Sequence, residues 1–404
     1  MLRILSLILA VILLGSCAKV DAAPTEPSDL FGPKPLSSIE AVEPAATLNS
    51  FVFSPAKTLS VEETIEAYFD EQYKAYINLA YADISSILDM EQQSNRNMIS
   101  WTKMLAQRRR LIDEYDFCYV EKTMFEYSIN YEEQPDDERL EFWGNRNISS
   151  PDDVVVHFRI TGEEGGAYPP IMALNSMHSI FLKKVGTQWK ITRHYFPGSV
   201  RKFGRSGGLT PVSDDEMLEQ LKAEFAAVNQ PQEPVVPAGA RIYNALQAVD
   251  YAIEFAEKYN PAFYNVGDWR GNCNNFVSQC VWFGFGDGKT KTPNGLPFMT
   301  EQWFGGSGGG TSAWENVDYF WSNITESRDM SGIIIEGISG ARQGDIIQTR
   351  PMSGAANDDG YNHTLILTDQ NTLKFAQNSP ACLVYYSDLV NVKSRYIRPV
   401  YIFA

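Results

Sequence analysis

Two side chains in the last third of the chain could act together as nucleophile and base. Cys273 sits in the run Gly271-Asn272-Cys273-Asn274-Asn275-Phe276-Val277-Ser278-Gln279-Cys280, where Phe276, Val277, Cys280, Val281 and Gly284 recur at helical spacing. The cysteine therefore falls in or just before the first turn of a buried helix. Backbone N–H groups and the positive end of the helix dipole favour a thiolate there. The same N–H groups could stabilise an oxyanion. A cysteine nucleophile needs a base. Of the four histidines, His157, His178 and His194 lie on strand patterns in the first half, where packed or exposed structural histidines are expected. His363 alone lies near the cysteine's end of the chain, before Thr364-Leu365-Ile366-Leu367-Thr368, a strand by composition. By elimination, a Cys–His pair here is Cys273 with His363. The imidazole would take the thiol proton and later protonate a leaving amine. A polar third residue would orient the ring. Asn378, after the strand-like Leu373-Lys374-Phe375-Ala376-Gln377, is the first candidate, with Asp345 and Gln377 behind it.

The elements that must hold these groups can be read outward from them. Ile242, Leu246, Val249, Ile253 and Ala256 step by helical intervals, and Asn260-Pro261 ends that helix. Upstream, residues 204–240 read as a linker with one short helix, capped by Ser213 and Glu216, from Asp214 to Val228. Residues 60–203 read as helices followed by a strand meander. Ser60 and Glu63 form a capping-box pattern, helical spacing runs to about Tyr115, and Phe117–Tyr131, Val154–Ile160, Met172–Lys183 and Gln188–Tyr195 alternate with period two. The basic run Arg108-Arg109-Arg110 reads as a solvated helix face. The class is α+β in both halves.

The chain has 404 residues, 44% hydrophobic and 21% charged, the profile of a multidomain globular protein. Its 34 basic and 50 acidic residues leave a net charge of −16, which argues against nucleic acid as a partner. Met1-Leu2-Arg3, the apolar run Ile4–Leu14 and the small residues Gly15-Ser16 describe a secretory signal over residues 1–16. Leu14-Gly15-Ser16-Cys17 resembles a bacterial lipobox, which implies lipid attachment at Cys17 and a membrane anchor. Residues 17–59, rich in Pro, Ala and Ser, then read as a flexible tether. No Cys/His grouping has zinc spacing, so neither a metal nor another cofactor is expected. Cys280 and Cys382 could pair in an oxidising compartment. Trp269, Trp303 and Trp314 could stack on a sugar or a substrate side chain, and with Asn272 they are the candidate cleft residues. The loop Gly305–Gly310 reads as a rim of that cleft.

Residues 243–404 resemble the amidase domain of bacterial envelope proteins, a branch of the papain-like NlpC/P60 and CHAP group. The resemblance is carried by Cys273-Asn274-Asn275-Phe276-Val277-Ser278-Gln279, similar to the family's Cys-Thr-Asn-Phe-Val-Ser-Gln. Ser312-Ala313-Trp314-Glu315-Asn316-Val317, Gly344-Asp345-Ile346-Ile347-Gln348 and the His363 strand follow in order. Two positions depart from the pattern: Asn272 stands where Asp is usual, and Asn378 where a second histidine is frequent. The resemblance implies a papain-like cysteine hydrolase domain over 241–404, acting on an amide in peptidoglycan from the extracytoplasmic face of the cell envelope. The closing strand Trp189-Lys190-Ile191-Thr192 resembles that of NTF2-like or cystatin-like domains, which implies such a fold for residues 60–203. The competing reading is a noncatalytic lipoprotein that binds a ligand or partner through that first domain.

Overall fold

A capping box opens the first helix of the computed structural model, which describes residues 48–131, 153–163, 165–199, 203, 208–228, 235–266, 271–293, 298–352, 360–378 and 382–403. The Ser60 hydroxyl accepts from the Glu63 N–H, and the Glu63 carboxylate accepts from the Ser60 N–H. Helix α1 (Val61–Ile77) follows a short strand β1 (Ser50–Val52), which pairs in parallel with β2 (Tyr81–Asp83). After α2 (Gln93–Glu114) come β3 (Tyr127–Asn130), β4 (Asp153–Gly162), β5 (Met177–Val185) and β6 (Gln188–Tyr195). These four strands form an antiparallel meander in chain order. Of the strand expected over 117–131, only the last residues pair. Helix α3 (Asp214–Glu224) carries the second expected capping box, between Ser213 and Glu216.

The rest of the chain builds a larger antiparallel sheet with helices on one face. Its elements are β7 (Arg241–Ile242), α4 (Ala245–Phe255), α5 (Cys273–Phe285), the glycine hairpin β8 (Gly305–Gly306) and β9 (Gly309–Gly310), α6 (Ser312–Glu315), α7 (Val317–Glu326), β10 (Met330–Ile335), β11 (Ile346–Pro351), β12 (His363–Asp369), β13 (Lys374–Gln377), β14 (Cys382–Tyr385) and β15 (Val392–Ile402). The strand order is β10-β15-β11-β12-β13-β14, with β7 beside β15. The class is therefore α+β throughout.

Strand alternation divides this sheet between two cores. Ile346, Ile366, Ala376 and Ile397 point to one side, where α4, α5, Trp303 and Trp314 cover them. Their neighbours Ile347, Leu365, Leu367, Phe375 and Tyr396 point to the other, into a core shared with α1, α2 and the meander. Helix α3 and its flanks, within the expected linker, are packed into that second core: Met217, Leu221 and Phe225 are buried, and Phe225 meets Tyr386 edge-on.

Two expectations change here. Arg108 and Arg109 are not on a solvated face. Arg109 is 0% exposed and pairs with Asp388 at 2.7 Å, while Arg108 pairs with Glu224 at 2.7 Å. A buried guanidinium persists only with a carboxylate partner, and both partners come from residues far along the chain. The buried face of helix α4 is also shifted from the expected one. Val249 and Ala256 are buried as expected, but Ala248, Tyr251, Ala252 and Phe255 join them, whereas Leu246 and Ile253 are exposed. The small residues win that face because α5 passes close by: a Cβ on Gly284 would lie 3.1 Å from the Ala248 Cβ and 2.5 Å from the Tyr243 ring.

Candidate active site

Cys273 is the first residue of α5, and every residue of that helix is buried. Gly271, with φ of +85°, makes the turn into it, a conformation that suits glycine. The polar residues after the cysteine hold the helix in place. The Asn274 amide donates to the Trp314 carbonyl at 2.9 Å, and its oxygen accepts from Thr364 of β12 at 3.1 Å. Asn275 accepts from the Trp314 indole at 2.7 Å and donates to the Tyr264 carbonyl. Ser278 donates to the Trp314 carbonyl and accepts from the Trp303 indole. Gln279 accepts from the Tyr251 hydroxyl at 2.8 Å. Each buried amide or hydroxyl named here has a partner, so the first turn of α5 is fixed against β12.

That anchoring brings Cys273 to His363, the first residue of β12. The thiol hydrogen-bonds with the imidazole and with the backbone N–H groups of Thr364 and Asn274. Burial pushes the thiol up, since Cys273 is only 4% exposed. The charge of His363, its hydrogen bond and the two backbone donors together outweigh burial and hold the thiol below its ordinary range.

The third position differs from the leading expectation. The His363 Nε2 lies 2.7 Å from the Gln377 Oε1. Asn378 is instead turned to Asn272, whose amide donates to the Asn378 Oδ1 at 2.9 Å. Strand parity explains the choice. Leu367 faces Phe375 and Ile366 faces Ala376 across β12 and β13. Side chains alternate, so Gln377 shares a face with Phe375, Leu365 and His363, whereas Asn378 follows Ala376 toward α5. An amide oxygen against Nε2 requires N–H there, which leaves Nδ1 as the nitrogen able to take the thiol proton. Asp345 is engaged elsewhere. It pairs with Arg398 at 2.8 Å and accepts from the Arg342 N–H in the turn before β11.

The remaining candidates sort plainly. Trp303 and Trp314 are 0% exposed and buttress α5, so neither is a cleft side chain. Two glycines of the hairpin give Trp314 its room: a Cβ on Gly305 would lie 2.3 Å from the Trp314 ring, and one on Gly310 would lie 2.7 Å away. Asn272 is buried beneath the helix start, where it also accepts from Asn275 and from the Val266 N–H. Cys280 and Cys382 are thiols and form no disulfide. Cys382 accepts from the Gln377 amide at 3.1 Å, a neighbour of the site that spacing alone did not single out. Of the first-half histidines, His178 and His194 stack with Nδ1 and Nε2 2.9 Å apart, among Phe69, Phe158 and Phe196. Trp269 and Cys17, with the signal over 1–16, lie outside the described residues.

Residues 242–385 match the family model described as "Putative amidase domain". The match supports an amidase-domain family, and with it amide hydrolysis on an amide substrate. It spans Cys273, His363, Gln377 and Asn378 and leaves the first half of the chain outside. No curated protein and no solved structure matches the chain.

Proposed function

We propose that this chain is an envelope-anchored cysteine amidase. The observation that carries the reading is the hydrogen-bonded series Cys273–His363–Gln377, with the thiol held below its ordinary range at the start of a helix. His363 takes the thiol proton and the Cys273 Sγ attacks the amide carbonyl carbon. The carbonyl π pair moves to oxygen, and the backbone N–H of Cys273 faces the resulting oxyanion. Collapse expels the amine, which takes its proton from His363, and leaves a thioester on Cys273. Water, losing a proton to His363, then adds to the thioester and releases the acid. Gln377 accepts from the imidazole throughout and keeps its plane aimed at the thiol.

The substrate in this reading is an amide of peptidoglycan, a stem-peptide bond or the muramoyl–alanine bond. That part rests on the sequence patterns that read as an export signal over 1–16 and as a lipid attachment site at Cys17, which support an extracytoplasmic location at the envelope. Two measurements test it. Alkylation of the soluble chain by iodoacetamide, mapped by mass spectrometry, is expected to label Cys273 quickly at pH 6–7, and slowly in His363→Ala. Incubation with purified peptidoglycan is expected to release new amines in wild type and none in Cys273→Ala. Slow labelling that ignores His363 would refute the cysteine mechanism. Full reactivity with no amine release would refute the substrate.

A further inference from the structure

An amide has nearly the same shape either way round, so something must make Gln377 present its oxygen, and not its nitrogen, to His363. Turned over, it would offer N–H to the Nε2, drive the ring proton to Nδ1 and leave no base facing the thiol. It would also set N–H against N–H whenever the imidazole is charged. Close packing does not make the choice. Gln377 lines a cavity of about 170 Å³ together with His363 and another of about 40 Å³ together with Cys382, so open space borders its side chain. The choice falls to hydrogen bonds, and both ends of the amide have one. The Oε1 lies 2.7 Å from the His363 Nε2, and the Gln377 Nε2 donates to the Cys382 Sγ at 3.1 Å.

The β13–β14 hairpin brings Cys382 to this place. Gln377 and Cys382 stand opposite each other in the register of the two strands, and opposite residues share a face. That face is the one His363 uses. We propose that Cys382 is a positioning residue for the amidase: its sulfur accepts the Gln377 N–H, fixes the amide oxygen toward His363, and so keeps the ring proton on Nε2 and the basic nitrogen toward Cys273. The inference rests on the cysteine-amidase reading and extends its series to Cys273–His363–Gln377–Cys382. A sulfur is a weak acceptor, so the residue biases the amide and does not lock it. Removing it should therefore cost less than removing Gln377 itself.

The test removes the acceptor in two sizes. Cys382→Val and Cys382→Ala should each slow alkylation of Cys273 by iodoacetamide near pH 6 by roughly 3- to 10-fold, the worth of one ordinary hydrogen bond. The pH midpoint of labelling should rise by about half a unit to one unit. Cys382→Ser, whose hydroxyl also accepts, should keep the wild-type midpoint. With Cys273 reactive, an unmoved midpoint in both Cys382→Val and Cys382→Ala overturns the proposal. So does a shift in Cys382→Ala alone, or one that Cys382→Ser shares, because either follows packing and not the acceptor. A second readout needs no reactive thiol. In Cys273→Ser carrying isotope-labelled histidine, nitrogen NMR above the imidazole titration should find the His363 proton on Nε2. Adding Cys382→Val or Cys382→Ala should spread it over both nitrogens. A proton on Nδ1 with Cys382 in place, or one that stays on Nε2 without it, overturns the proposal. If the proton moves as expected while Cys273 labels slowly in every chain, the positioning role stands and the catalytic reading alone fails.

Discussion

Replacing Gln377 and Asn378 one at a time separates two neighbours that differ only in strand parity. Gln377 is buried and accepts from His363 at 2.7 Å. In the thiolate–imidazolium state that bond is to a charged group, and such a bond contributes about 1.5–3 kcal/mol. Gln377→Ala should therefore slow Cys273 alkylation near pH 6 by roughly 10- to 100-fold. It should also move the pH midpoint of labelling upward, because the imidazolium that stabilises the thiolate is itself less stable. Asn378→Ala leaves His363 untouched but strands the Asn272 amide, whose acceptor is the Asn378 Oδ1. Its expected effect is a loss of about 1–3 kcal/mol in urea unfolding, with the labelling midpoint unmoved. The assay is the pH dependence of labelling, paired with urea denaturation of each variant. A shifted midpoint in Asn378→Ala together with an unshifted one in Gln377→Ala would refute the parity argument.

Arg109→Met should cost about 3–5 kcal/mol in urea unfolding by leaving Asp388 buried without its cation, and adding Asp388→Leu should recover part of it; an additive double variant would count against the pairing. Stability should fall on acidification below about pH 6.5, the range in which an unfolded histidine gains its proton. Burial and the neighbouring His178 hold His194 well below that value in the fold, so the unfolded state binds more protons and the slope is about 1.4 kcal/mol per pH unit for each such group. Burial of His157 acts in the same direction, and His194→Phe should flatten the profile seen by fluorescence at fixed urea. Gly305→Ala should displace Trp314 and destabilise the chain by about 1–3 kcal/mol, which a thermal melt would register. An unchanged melting temperature would show that the hairpin yields without strain.

The candidate pair was legible because its chemistry is local or exclusive. A cysteine at the start of an apolar helical run and one histidine in the same third of the chain left a single pairing to consider. The capping boxes at Ser60 and Ser213 were legible for a similar reason, since each is complete within four residues. The orienting residue was not. Asn378 and Gln377 are adjacent in sequence, and only the register of β13 on β12 says which one turns toward His363. The tryptophans were ambiguous too, because a large aromatic beside a glycine loop fits a cleft as well as a core. Gly305 and Gly310 leave the room that Trp314 packs into.

What the sequence by itself determined, then, are properties completed within a turn or two of chain: caps, periodicities, the helix-start cysteine, the strand-start histidine. What the tertiary structure decided are properties that need a partner. The arginine run became a buried seam because Asp388 lies 279 residues from Arg109 and meets it only in the fold. The far side of the sheet became a cavity wall because the first half of the chain packs there, leaving space beside His363. Periodicity names a buried face but not what covers it, and alternation names two faces but not which neighbour shares them.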